Sequence, residues 1–150
     1  MKTLYRYWLT LLFLAIVAQI AGAAYGAFYT AQKLGDQTGA DENKLISEKA
    51  FDHGFAFHTG FGYIIFLGAV VLFVIALAAR LGKRRVLLAL AVLVDVALQI
   101  VLAWASESTH GIGPLHGINA LILFSLTGYL TVQAWRDRAP EPRSTVAPAA

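Results

Sequence analysis

The stretch FDHGFAFHTGFGYIIFLGAVVLFVIALAARLGKRR, residues 51–85, gives the clearest indication of how this chain folds. Its apolar part runs from 56 to 79 without Asp, Glu, Lys or Arg and ends at a short basic turn. An apolar run of about 20 residues is what a helix needs to cross the hydrocarbon core of a bilayer. Three more long apolar runs lie outside this stretch. We therefore predict membrane spans at residues 8–31, 56–79, 86–105 and 115–135.

The composition supports membrane insertion and narrows the possible chemistry. Of the 150 residues, 58% are hydrophobic and 14% are charged, whereas soluble domains average about 25% charged residues. The chain has no cysteine, and Met1 is its only methionine. Disulfides, thiolate metal sites and haem attached by thioether bonds are therefore excluded, which leaves histidine for any haem ligation. We do not expect nucleic acid as a partner, because the positions of the basic residues explain the net charge of +3.

The basic residues are divided unevenly between the two sides of the predicted spans. The positive-inside rule places the side with more Lys and Arg in the cytoplasm. We therefore expect a multi-pass protein of the bacterial inner (cytoplasmic) membrane with both termini cytoplasmic. The first span has basic and small flanking residues like a signal peptide, but its apolar part is longer, so we expect it to be retained. Nine basic residues lie on the side of the termini (Lys2, Arg6, Arg80, Lys83, Arg84, Arg85, Arg136, Arg138, Arg143) and three on the other (Lys33, Lys44, Lys49).

Four helices joined by short or modest connections predict an all-α, integral membrane, up-down-up-down four-helix bundle over residues 1–136. Residues 137–150 are rich in Pro and Ala and lack apolar periodicity. This composition predicts a disordered cytoplasmic tail.

The two halves of the chain resemble each other faintly. VAQI at 17–20 is similar to ALQI at 97–100, and each is followed by a loop and then by two histidines that lead into a helix. His53 and His58 in the first half correspond in this way to His110 and His116 in the second. The pattern indicates an old duplication of a helix pair.

His58 and His116 are predicted to lie at nearly the same height near the outer face. They precede Arg80 and Arg136 by 22 and 20 residues, or roughly 30–33 Å of helix. The second and fourth helices are diagonal in an up-down bundle, so the two imidazoles would face each other across its axis. This arrangement favours bis-histidine binding of one non-covalent haem b. Gly62 and Ala120, one turn further along each helix, would let the porphyrin approach the backbone.

A simpler interpretation of the same residues exists. Small residues at helical spacing in a membrane protein most often form packing seams between helices. Histidines near a helix start can also lie in the wet headgroup region without binding anything.

The histidine pattern resembles one four-helix half of the haem A synthase family, and also a group of small uncharacterised bacterial four-helix membrane proteins similar to cytochromes b. The resemblance covers about residues 50–136, and it implies that His58 and His116 are axial haem ligands. The family has two such bundles and a Glu-x-x-Val-His-Arg motif, whereas this chain has one bundle and reads FAFHT at 55–59. Because the acidic residue linked to the family's chemistry is absent, we expect haem binding or electron transfer rather than haem A synthesis.

Three polar residues are expected inside the predicted spans. A charged Asp95 near the middle of the third span would cost roughly 2.5–3.5 kcal/mol, so it should face the bundle interior. Gln99 lies one turn outward, and Gln19 lies at a comparable depth in the first span. Their functional interpretation is a proton relay or a quinone contact next to the haem. The alternative is an interhelical hydrogen bond among the three side chains that fixes the helix register.

The remaining histidines suggest a second possible site. His53 and His110 are expected in the outer loops, where they could contact haem propionates. Alternatively, His53, His110 and Glu107 could bind a transition metal at the outer surface.

Three hypotheses for the function remain at this point. The first is a b-type cytochrome that transfers electrons, with a quinol or another redox protein as its partner, and is not a stand-alone enzyme. The second is a cofactor-free subunit that packs through its small-residue seams into a larger respiratory complex or a homo-oligomer. The third is a non-haem metal or quinone site. In each case the lipid bilayer surrounds the chain.

Overall fold

A computed structural model describes residues 1–35 and 43–137 of the chain. Over these residues the protein is all-α and contains no strand. Its four long helices are α1 (Lys2–Gly35), α2 (Asn43–Ala78), α3 (Lys83–Ser108) and α4 (Gly113–Arg136), with a 3-10 turn at His110–Ile112 before α4. The predicted four-helix bundle is therefore confirmed. The tail predicted from 137 lies outside the described residues except for Asp137.

The helices are longer than the predicted spans, most of all at the start of α2. This helix begins at Asn43 instead of residue 56, and its 36 residues correspond to about 54 Å of helix. The hydrocarbon core of a bilayer is only about 30 Å thick. Hydropathy detects only the part of a helix that lipid would surround. The more polar segment of α2 before residue 56 is also helical, and it packs against α1. The expectation that His53 lies in a loop is wrong for this reason.

The turn between α2 and α3 ends α2 with a Schellman motif. The Arg80 amide donates to the Leu77 carbonyl at 3.0 Å, and the Leu81 amide donates to the Ala76 carbonyl at 3.3 Å. This bonding pattern needs a left-handed residue at the position of Arg80, and Arg80 has a φ of 47°. Gly82 follows with a φ of 87° and precedes the first residue of α3. Two left-handed residues thus reverse the chain within a few positions.

The four helices surround one core along the bundle axis. Each helix contacts its two neighbours around the bundle, so that α1 is diagonal to α3 and α2 is diagonal to α4. This confirms the diagonal arrangement predicted for the second and fourth spans. The largest fully buried side chains come one from each helix: Leu9, Leu72, Val92 and Thr127. The Thr127 hydroxyl is satisfied within α4, because it donates to the Leu123 carbonyl at 2.7 Å.

Glycines bring α1 and α2 into close contact. A Cβ added to Gly26 would lie 2.9 Å from the Gly54 carbonyl oxygen and 2.9 Å from the Phe55 ring. A Cβ added to Gly22 would lie 2.6 Å from the Phe57 ring. Spacing of small residues by four positions is a common way for membrane helices to approach each other. The glycines of this seam thus pack inside the chain, between α1 and α2.

The outer surface of the bundle is apolar along most of its length. Many large hydrophobic side chains are exposed on all four helices, among them Leu14, Leu67, Val94 and Leu121. All four helices are also long and apolar enough to cross a membrane. Large exposed apolar surfaces of this kind mark contact with a membrane or with other proteins. The fold therefore suggests a multi-pass membrane protein.

Candidate functional site

In the first half of the chain, α1 and α2 are joined by a reciprocal pair of hydrogen bonds between Gln19 and His58. The Gln19 side-chain amide donates to the His58 main-chain carbonyl at 2.6 Å. The His58 Nδ1 in turn lies 3.0 Å from the Gln19 main-chain carbonyl oxygen. The side chain of each residue is thus bonded to the backbone of the other. This fixes the orientation of the imidazole ring.

The second half of the chain repeats this arrangement between α3 and α4. The Gln99 side-chain amide donates to the His116 main-chain carbonyl at 2.9 Å. The His116 Nδ1 lies 3.0 Å from the Gln99 main-chain carbonyl oxygen. The faint sequence similarity between VAQI and ALQI therefore corresponds to the same contact in both helix pairs. The two helix pairs thus share the same reciprocal Gln–His contact.

These bonds determine which ring nitrogen carries the proton. A main-chain carbonyl oxygen can only accept a hydrogen bond, so Nδ1 must be the protonated nitrogen in His58 and in His116. In a neutral imidazole the other nitrogen, Nε2, then has a lone pair. Metal-binding histidines usually have their second nitrogen bound to a carbonyl or a carboxylate in this way, which fixes the tautomer. In both neutral histidines Nε2 is thus the nitrogen with a lone pair.

The two imidazoles meet on the bundle axis, as the sequence predicted. The centres of the His58 and His116 rings are 6.2 Å apart, and their planes are inclined by 73°. A cavity of about 160 Å³ borders both rings, and all four helices contribute to its wall. The predicted residues Gln19, Gly62, Gln99 and Ala120 all line this cavity together with the two histidines.

The separation of the two rings is compatible with one shared metal ion. Imidazole nitrogens bind transition metals at about 2.0–2.1 Å, so rings on opposite sides of one ion have their centres about 6 Å apart. Residues with apolar side chains form most of the remaining wall, including Ile16, Val96 and Leu123. Two neutral imidazoles are one of the donor sets by which proteins hold haem iron, although the cavity of about 160 Å³ would have to widen to admit a porphyrin.

The two histidines differ in their surroundings. The Gln99 side-chain nitrogen also lies 3.2 Å from the His116 Nε2. The Gln99 side-chain oxygen, Oε1, accepts a hydrogen bond from the Asn119 side-chain amide at 2.7 Å. In the first half, the buried Gln19 Oε1 has no hydrogen-bond partner among the described residues. The residue that corresponds to Asn119, three positions after His58, is Phe61. Within residues 1–35 and 43–137, a third side chain therefore stabilises the second Gln–His pair but not the first.

Asn119 was not predicted as a site residue. It is one of the two buried polar residues of the described core, and it donates to the Asp95 main-chain carbonyl at 3.2 Å as well as to Gln99. Its position three residues after His116, on the same helical face, was the available sequence signal. The helix rotation that turns this face toward α3 is not visible in the sequence.

Replacing Asn119 by leucine is expected to lower the free energy of unfolding by about 0.5–1.5 kcal/mol, the range of interhelical hydrogen bonds in membrane bundles. The change removes the donor of the part-buried hydrogen bond to the Gln99 side-chain Oε1. Unfolding in mixed detergent micelles would measure the effect. Ser125→Leu, at an exposed position of the same helix, is the control and should change stability by less than about 0.5 kcal/mol. Equal losses in both variants would contradict the role given to Asn119.

The prediction for Asp95 is met only in part, since its Oδ2 is buried, as expected of a side chain that faces the bundle interior. Asp95 does not line the cavity between the histidines, and its Oδ2 has no hydrogen-bond partner among the described residues. The network predicted among Asp95, Gln99 and Gln19 is wrong. Gln19 and Gln99 lie on diagonal helices and bond to their own histidines, and the contact to the Asp95 backbone comes from Asn119.

The alternative metal site does not form from its described members. His53 lies on α2 with its ring against Tyr29, at a centroid distance of 5.3 Å. Glu107 is exposed near the end of α3, at the rim of the cavity. No group of three His, Cys, Asp or Glu side chains that could hold a metal ion occurs in the part of the chain that the structure describes. The side chain of His110 lies outside the described part, so the complete set stays a prediction.

No model of a known protein family, no curated protein and no solved structure matches this chain.

Proposed function

We propose that the chain is a b-type cytochrome of the membrane that binds one haem b between His58 and His116. The observation that carries the proposal is the pair of imidazoles on diagonal helices, with ring centres 6.2 Å apart and both Nδ1 atoms held by main-chain carbonyls. When bound, haem supplies a one-electron couple between ferric and ferrous iron. Electron transfer is the corresponding activity.

The Gln–His pairs support this function by orienting the ligands. Each histidine has its Nδ1 proton bound to a carbonyl of the neighbouring helix, which fixes the ring and makes Nε2 more basic. At His116 the lone pair of Nε2 faces the Gln99 amide at 3.2 Å. For His116 to be an iron ligand, the Gln99 side-chain nitrogen would have to move away from Nε2. Its hydrogen bond to the His116 main-chain carbonyl could be kept.

The location of the site is part of the proposal. The excess of Lys and Arg at the end of the bundle opposite the histidines favours a bacterial inner membrane protein with both termini in the cytoplasm. The haem then lies near the outer face. There it would exchange electrons with a quinol in the lipid or with a redox protein outside the membrane. The bundle is proposed to act alone, as a homo-oligomer or within a larger respiratory complex.

The first test is the visible spectrum of the intact chain, produced in bacteria and purified in mild detergent. We expect the oxidised and dithionite-reduced forms to show the bands of a six-coordinate, low-spin haem b, with about one haem per chain. Haem added to colourless protein should restore these bands. A protein that stays colourless after haem is added would overturn the proposal.

A second candidate is a cofactor-free subunit of a larger membrane complex. The observation that favours it is the contact between the Gln99 side-chain nitrogen and the His116 Nε2. The Nε2 lone pair accepts a hydrogen bond in this contact, so His116 has a partner for both ring nitrogens without a metal ion. On this alternative the purified protein is colourless, and it still assembles with its partners when His58 is replaced. Metal analysis of the colourless protein would separate it from a non-haem metal site.

A further inference from the structure

A groove lies at the opposite end of the bundle from the histidines. The turn between α2 and α3, the first residues of α3 and the last turn of α4 enclose about 580 Å³. Its wall includes four basic side chains and one carboxylate: Lys83, Arg84, Arg85, Arg136 and Asp137. The groove is therefore a cationic concavity and not only a surface with scattered basic residues.

Contacts between α3 and α4 hold two of these cations in place. The Arg85 guanidinium forms an ion pair with Asp137. The Arg84 guanidinium donates to the Tyr129 hydroxyl at 3.3 Å, and the Gln133 amide donates to the same hydroxyl at 2.6 Å. Cations fixed in this way lose less conformational entropy when they bind an anion. Lys83 and Arg136 are exposed at the ends of the two helices.

The walls of the groove indicate what kind of anion it takes. Leu81 and Leu88 line it beside the basic side chains, and the exposed apolar surface of the bundle continues from there with Leu87 and Val132. A ligand that matches both parts has an anionic head and apolar chains. Basic pockets between membrane helices on the cytoplasmic side are known to bind anionic lipid headgroups.

We propose that this groove binds the phosphodiester headgroup of an anionic phospholipid. The acyl chains would then lie along the apolar surface beside Leu88. Lys83 and Arg136 are the principal contacts to the phosphate, and Arg84 adds to the positive field, whereas the charge of Arg85 is offset by its ion pair with Asp137. The proposal does not depend on haem, because the groove and the two histidines lie at opposite ends of the bundle.

The experiment is native mass spectrometry of the intact chain in detergent, titrated with phosphatidylglycerol or with phosphatidylcholine. We expect at least one bound phosphatidylglycerol at concentrations where phosphatidylcholine is not retained. In a Lys83→Gln/Arg136→Gln variant, binding should weaken about fivefold for each charge removed, or about 25-fold in total. The control is Lys2→Gln/Arg80→Gln, which removes the same charge outside the groove and should leave the affinity within about twofold.

Three results would overturn the proposal. Equal weakening in the two double variants would show a general effect of surface charge. Equal retention of both lipids would show that the headgroup charge is not recognised. Displacement of phosphatidylglycerol by millimolar inorganic phosphate would show a site for free anions. Far-ultraviolet circular dichroism of both variants checks that the bundle remains folded, and their haem content should equal that of the unmodified chain.

Discussion

Replacing His58 by alanine is expected to abolish the low-spin haem spectrum and to weaken haem binding by more than about 100-fold. Loss of a residue that merely supports a metal ligand already costs about 10–100-fold in affinity, and His58 is proposed as a ligand itself. His116→Ala should have an effect of the same size, because the two halves of the site repeat the same contacts. Haem content and absorption spectra of the purified variants measure the effect.

The matched control for this experiment is His53→Ala. His53 lies on the same helix as His58, and its exposed ring packs against Tyr29 and not against His116. Its loss should therefore leave the spectrum unchanged. Free imidazole provides a second check, since it can occupy the space of the missing side chain and restore six-coordinate iron. A low-spin spectrum retained in both His58→Ala and His116→Ala without added imidazole would exclude these residues as the ligands.

The second large effect is expected from Gly26→Leu, at the close contact between α1 and α2. A Cβ at this position would lie 2.9 Å from a main-chain oxygen, that of Gly54. A backbone atom cannot move aside as a flexible side chain can, so the two helices would have to separate. Overpacking of this kind costs typically about 1–3 kcal/mol. Because Gln19 and His58 join the same two helices, we also expect weaker haem binding.

Gly60→Leu is the control for overpacking, because nothing lies within 4 Å of a Cβ added there. Removing a helical glycine favours the helix by roughly 0.5–1 kcal/mol, so this variant should be as stable as the original chain or slightly more stable. Unfolding in mixed micelles compares the two variants. If Gly26→Leu unfolds at the same denaturant concentration as Gly60→Leu, the close helix contact is not a determinant of stability.

The general architecture could be predicted because it depends on periodicity and length. Apolar runs fixed the number of helices, and the distances of His58 and His116 from the basic ends fixed their common height. The start of α2 could not be predicted in this way, because residues 43–55 are polar and are helical next to α1. Hydropathy contains no information on helices that extend beyond the lipid.

The hydrogen bonds of the site could be predicted only in part. The sequence placed Gln19 and Gln99 at similar depths, which suggested that they contact each other. Their real partners depend on the rotation of each helix about its own axis and on which helices are neighbours. A rotation of one residue position, about 100°, turns a side chain from one neighbour to another. Asn119 was missed for the same reason.

The repetition of the Gln–His contact in both halves has a consequence for any ligand whose own two halves differ. Haem b has different substituents along its edge, so a site with two equal halves would accept it in two orientations, each populated by half of the molecules. The halves here are unequal, since Asn119 supports Gln99 while Gln19 has no such partner. A difference of about 1.4 kcal/mol between the orientations is sufficient for a population ratio of ten to one. For the haem site that we propose, Asn119 is a difference between the two halves by which the two orientations are distinguished.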